Sequence, residues 1–281
     1  MLKYAESAEF IGNQTRIHPK IGIVLGSGLG NLVQQMKVET TIPYANIPHF
    51  PISTVAGHRG ELAFGEMNGV EVCVLNGRKH YYEGCTIQEV VEPLHIIHEL
   101  GVKVLILSNA AGGLNPSFQV GDVMLINDHI NMMAAHPLFG RENSLQPSHY
   151  LSSKILYSKI LRNITLSIAK NNDIPLQRGV YLAHSGPYFG TRAESAMQFN
   201  LGADAVGMST IPEAIQAAAL DMEVLAFSVI TDLAAIGTVE HPTHEAVLKA
   251  AQYAGEKLTR IIINILPRIT FDPQGNLVET I

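Results

Sequence analysis

Short apolar runs that are typical of buried strands alternate with stretches of helical spacing along the whole chain. Residues 21–26 and 102–107 are almost continuously apolar, as strands that are covered on both faces are. Residues 86–100 instead carry apolar side chains at helical intervals and stop before Gly101. This alternation favours an α/β fold in which helices cover a largely parallel or mixed sheet.

One pair of strands is predicted to be antiparallel. Residues 61–67 and 70–75 both have strand character, and they are joined by Asn68-Gly69, a dipeptide typical of type I′ hairpin turns. The sheet is therefore expected to be mixed. The other predicted elements are strands at 122–126, 179–183, 203–206 and 224–230 and helices at 152–171, 192–201, 211–220 and 243–266.

No linker or internal repeat divides the 281 residues, so a single domain is expected over residues 1–281. Its core is predicted to span about residues 18–266, and residues 267–281 are predicted to form a peripheral tail. Residues 135–151 mix Pro, Gly, Asn, Ser and His without a period and are predicted to form a long mobile loop.

The composition excludes several classes of protein. With 47% apolar and 16% charged residues, the chain can bury a sizeable core, which excludes disorder as its main state. Its 19 Lys and Arg against 25 Asp and Glu give a net charge of −6, which argues against a nucleic-acid partner. The two cysteines, Cys73 and Cys85, indicate a reducing compartment. No secretory signal or apolar run of the ~20 residues that span a membrane is found, so a cytoplasmic location is expected.

Two segments that follow predicted strands could bind an anion. GSGLG, residues 26–30, frees backbone N–H groups, and Ser27 adds a hydroxyl. Taken alone it is equally compatible with a tight turn, and it matches neither a Walker loop nor a dinucleotide motif. GRKHYYEG, residues 77–84, sets Arg78 and His80 on one side of an extended chain. An arginine fork beside an imidazole suits phosphate or carboxylate, although a solvated basic turn is favoured if this motif stands alone.

Two further segments end predicted strands in small residues. These are SNAAGGLNP at 108–116 and GADAVGMS at 202–209. Small residues let the backbone approach a ligand, and ligands bind at the carboxyl edge of α/β sheets. The alternatives are plain turns and, for Met208, a place in the core.

The histidines do not predict a metal site. His58, His184 and His244 stand singly, and each is interpreted alone as a structural histidine. His95 and His98 lack a third ligand, and neither an H-E-x-x-H motif nor a Cys/His cluster is present. No G-x-S-x-G elbow indicates a serine nucleophile.

Taken together, these segments resemble the trimeric purine nucleoside phosphorylases, a family that also contains the methylthioadenosine phosphorylases. The resemblance covers residues 18–265 and rests on the order GSGLG, HRGELAFG, GRKHYYEG, SNAAGGLNP, GDVMLINDHIN, HSGPYFGTRAES, GADAVGMSTIPEA and THEAVL. It implies a single α/β domain with a mixed, partly barrel-like sheet flanked by helices. It also implies a homotrimer that uses inorganic phosphate as co-substrate and needs no cofactor.

The resemblance also implies roles for individual residues. Phe189 would stack on the purine, His244 would bind the 5′-hydroxyl and Asp232 would protonate or hydrogen-bond N7. Catalytic roles fall on His80, Asp232 and His244. The implied phosphate site comprises Ser27, His58, Arg78, His80, Ala110 and Ser209. The implied nucleoside site comprises Tyr82, Phe189, Gly190, Met208, Asp232 and His244.

The sequence departs from the family pattern where the base would bind. The glutamate that holds N1–H and the 2-amino group of 6-oxopurines is Gly190 here, and Asp232 stands where those relatives have asparagine. Methylthioadenosine phosphorylases share this T-D pair and the R-A-E-S of residues 192–195, but they do not usually keep the histidine found here as His244. The chain thus mixes features of both branches.

The expected activity is phosphate-dependent cleavage of purine ribo- or deoxyribonucleosides to free base and the sugar 1-phosphate. A methylthioadenosine phosphorylase and a non-catalytic nucleoside-binding homologue, which Gly190 favours, stay open as alternatives. A hydrolase is disfavoured because it has no use for a phosphate clamp. The base preference is open: ordinary nucleosides are expected to be better substrates than methylthioadenosine, and adenosine is expected to be cleaved beside inosine.

Overall fold

In the computed structural model, which describes residues 2–55, 57–139, 156–234 and 243–278, helices and strands alternate as predicted. Nine of the described strands form one mixed sheet, and the last two form a separate short hairpin. The strands are β1 (Ile21–Leu25), β2 (Lys37–Pro43), β3 (Glu61–Met67), β4 (Val70–Asn76), β5 (Val104–Gly113), β6 (Val123–Met132), β7 (Gln177–His184), β8 (Ala205–Gly207), β9 (Glu223–Leu233), β10 (Thr270–Phe271) and β11 (Leu277–Val278). The helices are α1 (Leu2–Gly12), α2 (Ile87–Glu99), α3 (Lys159–Asn171), α4 (Arg192–Asn200), α5 (Ile211–Ala219) and α6 (His244–Ile265).

Part of the sheet closes into a ring. The strand order is β2-β3-β4-β1-β5-β8-β7-β6-β9, and β9 pairs again with β5. The strands from β5 to β9 therefore form a closed barrel, and β1 to β4 extend from it as an open sheet. This confirms the predicted mixed, partly barrel-like α/β fold.

The direction of the strands determines where the motifs meet. Strand β1 runs parallel to β4 and β5, and β5 runs parallel to β9. The segments that follow β1 and β4 and the last residues of β5 and β9 therefore lie at the same edge of the sheet. Short β8 runs antiparallel to β5, with Val206 opposite Gly112, so the chain enters β8 at this edge and then runs back beside the last residues of β5.

The predicted hairpin is present. Strands β3 and β4 pair antiparallel from Glu61↔Asn76 to Met67↔Val70. Asn68 and Gly69 have φ of 49° and 80°, the left-handed conformations that a type I′ turn requires.

Several elements are longer or shorter than predicted, including β6, which continues to Met132 and not to residue 126. Strand β5 continues to Gly113 and β9 to Leu233, so the small residues of the third motif belong to a strand and not to a turn. Helix α3 begins at Lys159, after the N-cap Ser158, and not at residue 152. Tyr157 pairs in a bridge with Val224, which keeps the residues just before α3 extended.

Helix α1 and strand β2 were not predicted. Ile11 of α1 is fully buried and belongs to the cluster that contains Leu94 and Ile97 of α2, so the packed body begins before residue 18. The single-domain boundaries stay a prediction, and most of the loop predicted at 135–151 lies outside the described residues. None of the helices in the described part of the chain combines the length and apolar character that a bilayer crossing requires.

Candidate active site

A cavity of about 380 Å³ opens at the edge of the sheet where the motifs meet. Backbone and side chains from the ends of β1, β4, β5, β8 and β9 and from the first turns of α4 line it. Of the predicted site residues, the cavity brings together Ser27, Arg78, His80, Tyr82, Ala110, Phe189, Gly190, Met208, Ser209 and Asp232. His58 lies one hydrogen bond behind this lining.

The turn after β1 is packed against the backbone of β5. A Cβ atom at Gly26 would lie 2.8 Å from both the Cα of Asn109 and the carbonyl oxygen of Ser108, so only glycine allows this approach. The next residue, Ser27, faces the cavity. The first motif is therefore a tight turn that presents Ser27 to the cavity.

Arg78 is buried, and its guanidinium is held by three fixed acceptors. Its Nη1 donates to the Glu213 carboxylate at 2.9 Å and to the Thr210 hydroxyl at 3.2 Å, and its Nη2 donates to the Ser108 carbonyl. Its Nε has no partner among the described residues. Since a guanidinium carries five N–H groups, the Nε–H and one Nη2–H remain, and this pair matches two oxygens of a phosphate.

His58 connects the first motif to the second. Its Nε2 lies 3.0 Å from the Ser27 hydroxyl, and its Nδ1 lies 2.7 Å from the carbonyl oxygen of Arg78. Burial, reinforced by the nearby His80 and Arg78, lowers the pKa of His58 to about 4. The ring is therefore neutral near pH 7 and orients the serine hydroxyl without adding charge.

His80 is fixed by a neighbouring carboxylate and an aromatic ring. Its Nδ1 lies 3.2 Å from Glu83, and its ring stacks on Tyr82 with 4.8 Å between centroids. Burial lowers the pKa of His80, although the hydrogen bond to Glu83 opposes this. Burial would raise the pKa of Glu83, but hydrogen bonds from His80 and Thr54 outweigh it and lower that pKa to about 2.

The opposite end of the cavity has the character of a base site. Phe189, 42% exposed, and Met208 offer apolar surface beside the carboxyl group of Asp232. Burial raises the pKa of Asp232, although a 3.0 Å hydrogen bond from the Thr231 hydroxyl opposes the shift. Desolvation is thus the main cause of the raised pKa of Asp232.

Six polar residues that line the cavity were not predicted as site residues. They are Asn109, His184, Arg192, Ser195, Gln198 and Thr231. Asn109 is buried and donates to the Thr210 hydroxyl at 2.9 Å. Ser195 and Gln198 lie on α4 at the i, i+3 spacing that puts side chains on one face; polar residues in that stripe, just after Phe189, are the signal that could have found them.

His244 is the first residue of α6, and its side chain lies outside the described part of the molecule. Its predicted contact with the 5′-hydroxyl stays a prediction. Among the described residues, no group of three or more His, Cys, Asp or Glu could hold a metal ion.

The chain, a partly closed mixed sheet with this cavity at one edge, is similar to known proteins in both sequence and structure. The model of the phosphorylase superfamily matches residues 20–267, and the chain belongs to this superfamily and, within it, to the purine nucleoside phosphorylases. Purine nucleoside phosphorylase 1 of Geobacillus stearothermophilus is 42% identical over 258 residues, which cover 92% of this chain and 94% of the relative.

Comparison with solved structures supports the same family assignment. The Schistosoma mansoni purine nucleoside phosphorylase in complex with adenosine has a TM-score of 0.90 and 35% identity, over 97% of this chain and 99% of the other. A schistosoma enzyme in complex with hypoxanthine has a TM-score of 0.83 and 36% identity, over 94% and 98% of the two chains. The family resemblance drawn from the motifs is therefore confirmed.

Proposed function

We propose that the protein cleaves purine ribo- and deoxyribonucleosides with inorganic phosphate, giving the free base and the sugar 1-phosphate. The observation that carries the proposal is the unpaired edge of the buried Arg78 guanidinium, which lines the same cavity as Phe189 and Asp232. An arginine fork and an aromatic base platform in one cavity fit a nucleoside and a phosphate bound side by side. No metal or redox cofactor is part of this proposal.

The chemistry follows from this arrangement. A phosphate oxygen bonds to C1′ while the C1′–N9 bond breaks, and the electron pair of that bond passes to the purine. Because the sugar becomes cationic in between, the phosphate charge held below it stabilises the transition state, and orientation of the two reactants lowers the barrier further. The purine gathers negative charge, which a protonated Asp232 relieves by donating at N7.

The residues assigned to phosphate are Ser27, Arg78, His80, Ala110 and Ser209, with His58 behind Ser27. The neutral state that burial favours for His58 and His80 suits a site whose positive charge comes from Arg78 alone. The guanidinium of Arg78 thus binds the phosphate and leaves it able to act as a nucleophile. Tyr82 and Met208 are assigned to the ribose, and His244 to its 5′-hydroxyl.

The test is release of base from inosine, adenosine and methylthioadenosine, each with and without phosphate. The expected result is that base appears only with phosphate, in equal amount with the sugar 1-phosphate. Release without phosphate would instead indicate a hydrolase. Preference for methylthioadenosine would assign the chain to the other branch, and binding without release would indicate a non-catalytic homologue.

The proposal extends to a homotrimer in the cytoplasm. Both cysteines, Cys73 and Cys85, are buried and unpaired, which is compatible with a reducing compartment. Apolar side chains that remain exposed after β6, above all Phe139 at 83% exposure, fit a surface that a second copy covers.

A further inference from the structure

Two side chains of α4 face the cavity without a hydrogen-bond partner. Ser195 and Gln198 are each only 5% exposed and line the cavity. Neither side chain bonds to another residue in the part of the chain that the structure describes. The amide of Gln198 therefore keeps its donor and acceptor free for whatever fills the cavity.

Gly190 leaves the space in front of Gln198 open. A Cβ atom at Gly190 would meet only Glu194 Cβ and Oε2 at 3.7 Å and Gln198 Nε2 at 4.0 Å, which are ordinary van der Waals distances. Its φ is not among the positive values, so the backbone does not require glycine here. The amide of Gln198 therefore lies within the reach that a longer side chain at residue 190 would have.

The neighbouring carboxylate does not compete for this space. Glu194 accepts from the Tyr188 hydroxyl and from the Thr191 amide, both at 2.7 Å. The hydrogen bond from Tyr188 and those from Thr191 lower the pKa of Glu194, so it is an ionised cap of α4. It does not line the cavity, whereas Gln198 does and presents a neutral amide there, beside Ser195 and Arg192 of the same helix.

We propose that Gln198 binds the N1 position of the purine and makes the site accept 6-amino- and 6-oxopurine nucleosides alike. This inference rests on the proposed phosphorylase function. The N1 of a 6-oxopurine carries a proton and donates, whereas the N1 of a 6-aminopurine accepts. The amide can meet either one, because its oxygen accepts, its nitrogen donates and a half-turn exchanges them.

A carboxylate on this wall would discriminate between the two bases. It can only accept, so it would pair with a protonated N1 and repel the lone pair of an unprotonated one. Guanine, which presents a 2-amino group beside N1–H, offers two adjacent donors to a single amide oxygen. The amide therefore gives guanosine no advantage over inosine.

The test compares kcat/KM for adenosine and inosine at saturating phosphate. Wild type is expected to cleave the two within about tenfold of each other. Gln198→Glu should lower the adenosine-to-inosine ratio by at least roughly tenfold, the effect of a hydrogen bond replaced by an unpaired charge. Gln198→Leu should lower both kcat/KM values while the phosphate KM stays within about twofold.

A second variant allows the proposal to be tested even if Gln198→Glu does not fold. Gly190→Glu places a carboxylate before the amide in space that the fold leaves open, and it should shift the ratio toward inosine in the same direction. Met197→Glu is the matched control, because Met197 lies on the same helix, is 42% exposed and does not line the cavity; its ratio should equal that of wild type.

Two failures are distinguishable. If wild type releases no base from any purine nucleoside with phosphate, the proposed function falls. If wild type is an active phosphorylase and Gln198→Glu or Gly190→Glu leaves the adenosine-to-inosine ratio unchanged, the role of Gln198 is overturned and the function stands.

Discussion

At the scale of the residue, Arg78 shows how one side chain is prepared for an anion. Its bonds to Glu213, Thr210 and Ser108 fix the guanidinium plane before any ligand arrives. The remaining N–H pair therefore binds phosphate without first losing side-chain freedom, which is the advantage of a preorganised site.

Replacement of Arg78 should act mainly on phosphate. Loss of a charge-assisted contact at both oxygens typically removes about 1.5–3 kcal/mol of binding, roughly 10- to 150-fold in KM. Arg78→Ala should raise the phosphate KM by this factor and change the nucleoside KM less. Arg78→Lys should also raise the phosphate KM, although its ammonium group can still pair with Glu213. Initial rates against phosphate concentration measure this. The control is Arg59→Ala, whose side chain is 69% exposed; an unchanged phosphate KM in both Arg78 variants would contradict the assignment.

Asp232→Asn should change both the base preference and the stability. An amide donates to N7 and O6 at any pH, so the kcat/KM ratio should shift toward inosine.

Because burial raises the folded-state pKa of Asp232, the wild type loses stability as the pH rises through that pKa, and the neutral variant does not. The variant should therefore melt above wild type at pH 8, by about 2–4 °C for each kcal/mol relieved, and this gap should close as the pH falls. An unchanged adenosine-to-inosine ratio together with a gap independent of pH would refute this role of Asp232.

At the scale of the element, the sequence predicts a turn or strand best where its conformation depends on residues that are neighbours in the chain. The turn at Asn68-Gly69 is present because these two residues tolerate positive φ. The ends of β5 and β9 were placed too early: alanine and glycine at the end of β5 resemble turn residues in sequence, and the polar Thr231 and Asp232 interrupt the apolar run of β9. Both strands continue because each pairs with the other as far as Gly113 and Leu233, a long-range contact that no local pattern encodes.

The residues of the candidate site also divide into those that the sequence predicts and those that it does not. Ser27 and Arg78 lie in motifs that follow parallel strands, so their meeting at one edge could be predicted from topology, whereas Ser209 follows β8, which runs antiparallel to β5. Ser195 and Gln198 lie on a helix with no motif of their own, and only the packing of α4 against the barrel turns them into the cavity. Single helix-borne residues of this kind are where sequence reasoning fails.

Helix α5 offers a test of an element that supports the site. Glu213 caps it by accepting from the Thr210 amide at 2.8 Å and pairs with Arg78 in a buried salt bridge. Glu213→Ala strands the buried guanidinium, which typically costs about 3–5 kcal/mol; at about 2–4 °C per kcal/mol, the melting temperature should fall by roughly 6–20 °C. Glu213→Gln keeps an acceptor and should lose less. Glu245→Ala, on a side chain 78% exposed, should change the melting temperature little. Equal losses for the buried and exposed sites would contradict this account.

At the scale of the whole molecule, the closed ring gives the cavity its shape. The barrel supplies β5, β8 and β9, the open extension supplies the segments after β1 and β4, and β5 is the strand that the two parts share. The residues assigned to phosphate come from both parts of the sheet and those assigned to the base come from the barrel, so the continuous sheet holds them in one fixed relation. The site thus depends on the integrity of the whole sheet.

The last prediction concerns assembly. At the end of β6 and just after it, Met132 is 41% and Phe139 83% exposed, which is unfavourable for an isolated chain, since burial of a phenylalanine side chain contributes about 1.5–3 kcal/mol. A homotrimer that covers this segment should have about three times the 30.5 kDa mass of the chain by light scattering at micromolar concentration. Phe139→Asp should shift the mass toward that of one chain, because it would bury an unpaired charge in the contact. The same replacement at Tyr253, 76% exposed on α6, should leave the trimer intact. A wild-type mass of one chain would contradict the trimer, and a trimer that withstands Phe139→Asp would show that the contact lies elsewhere.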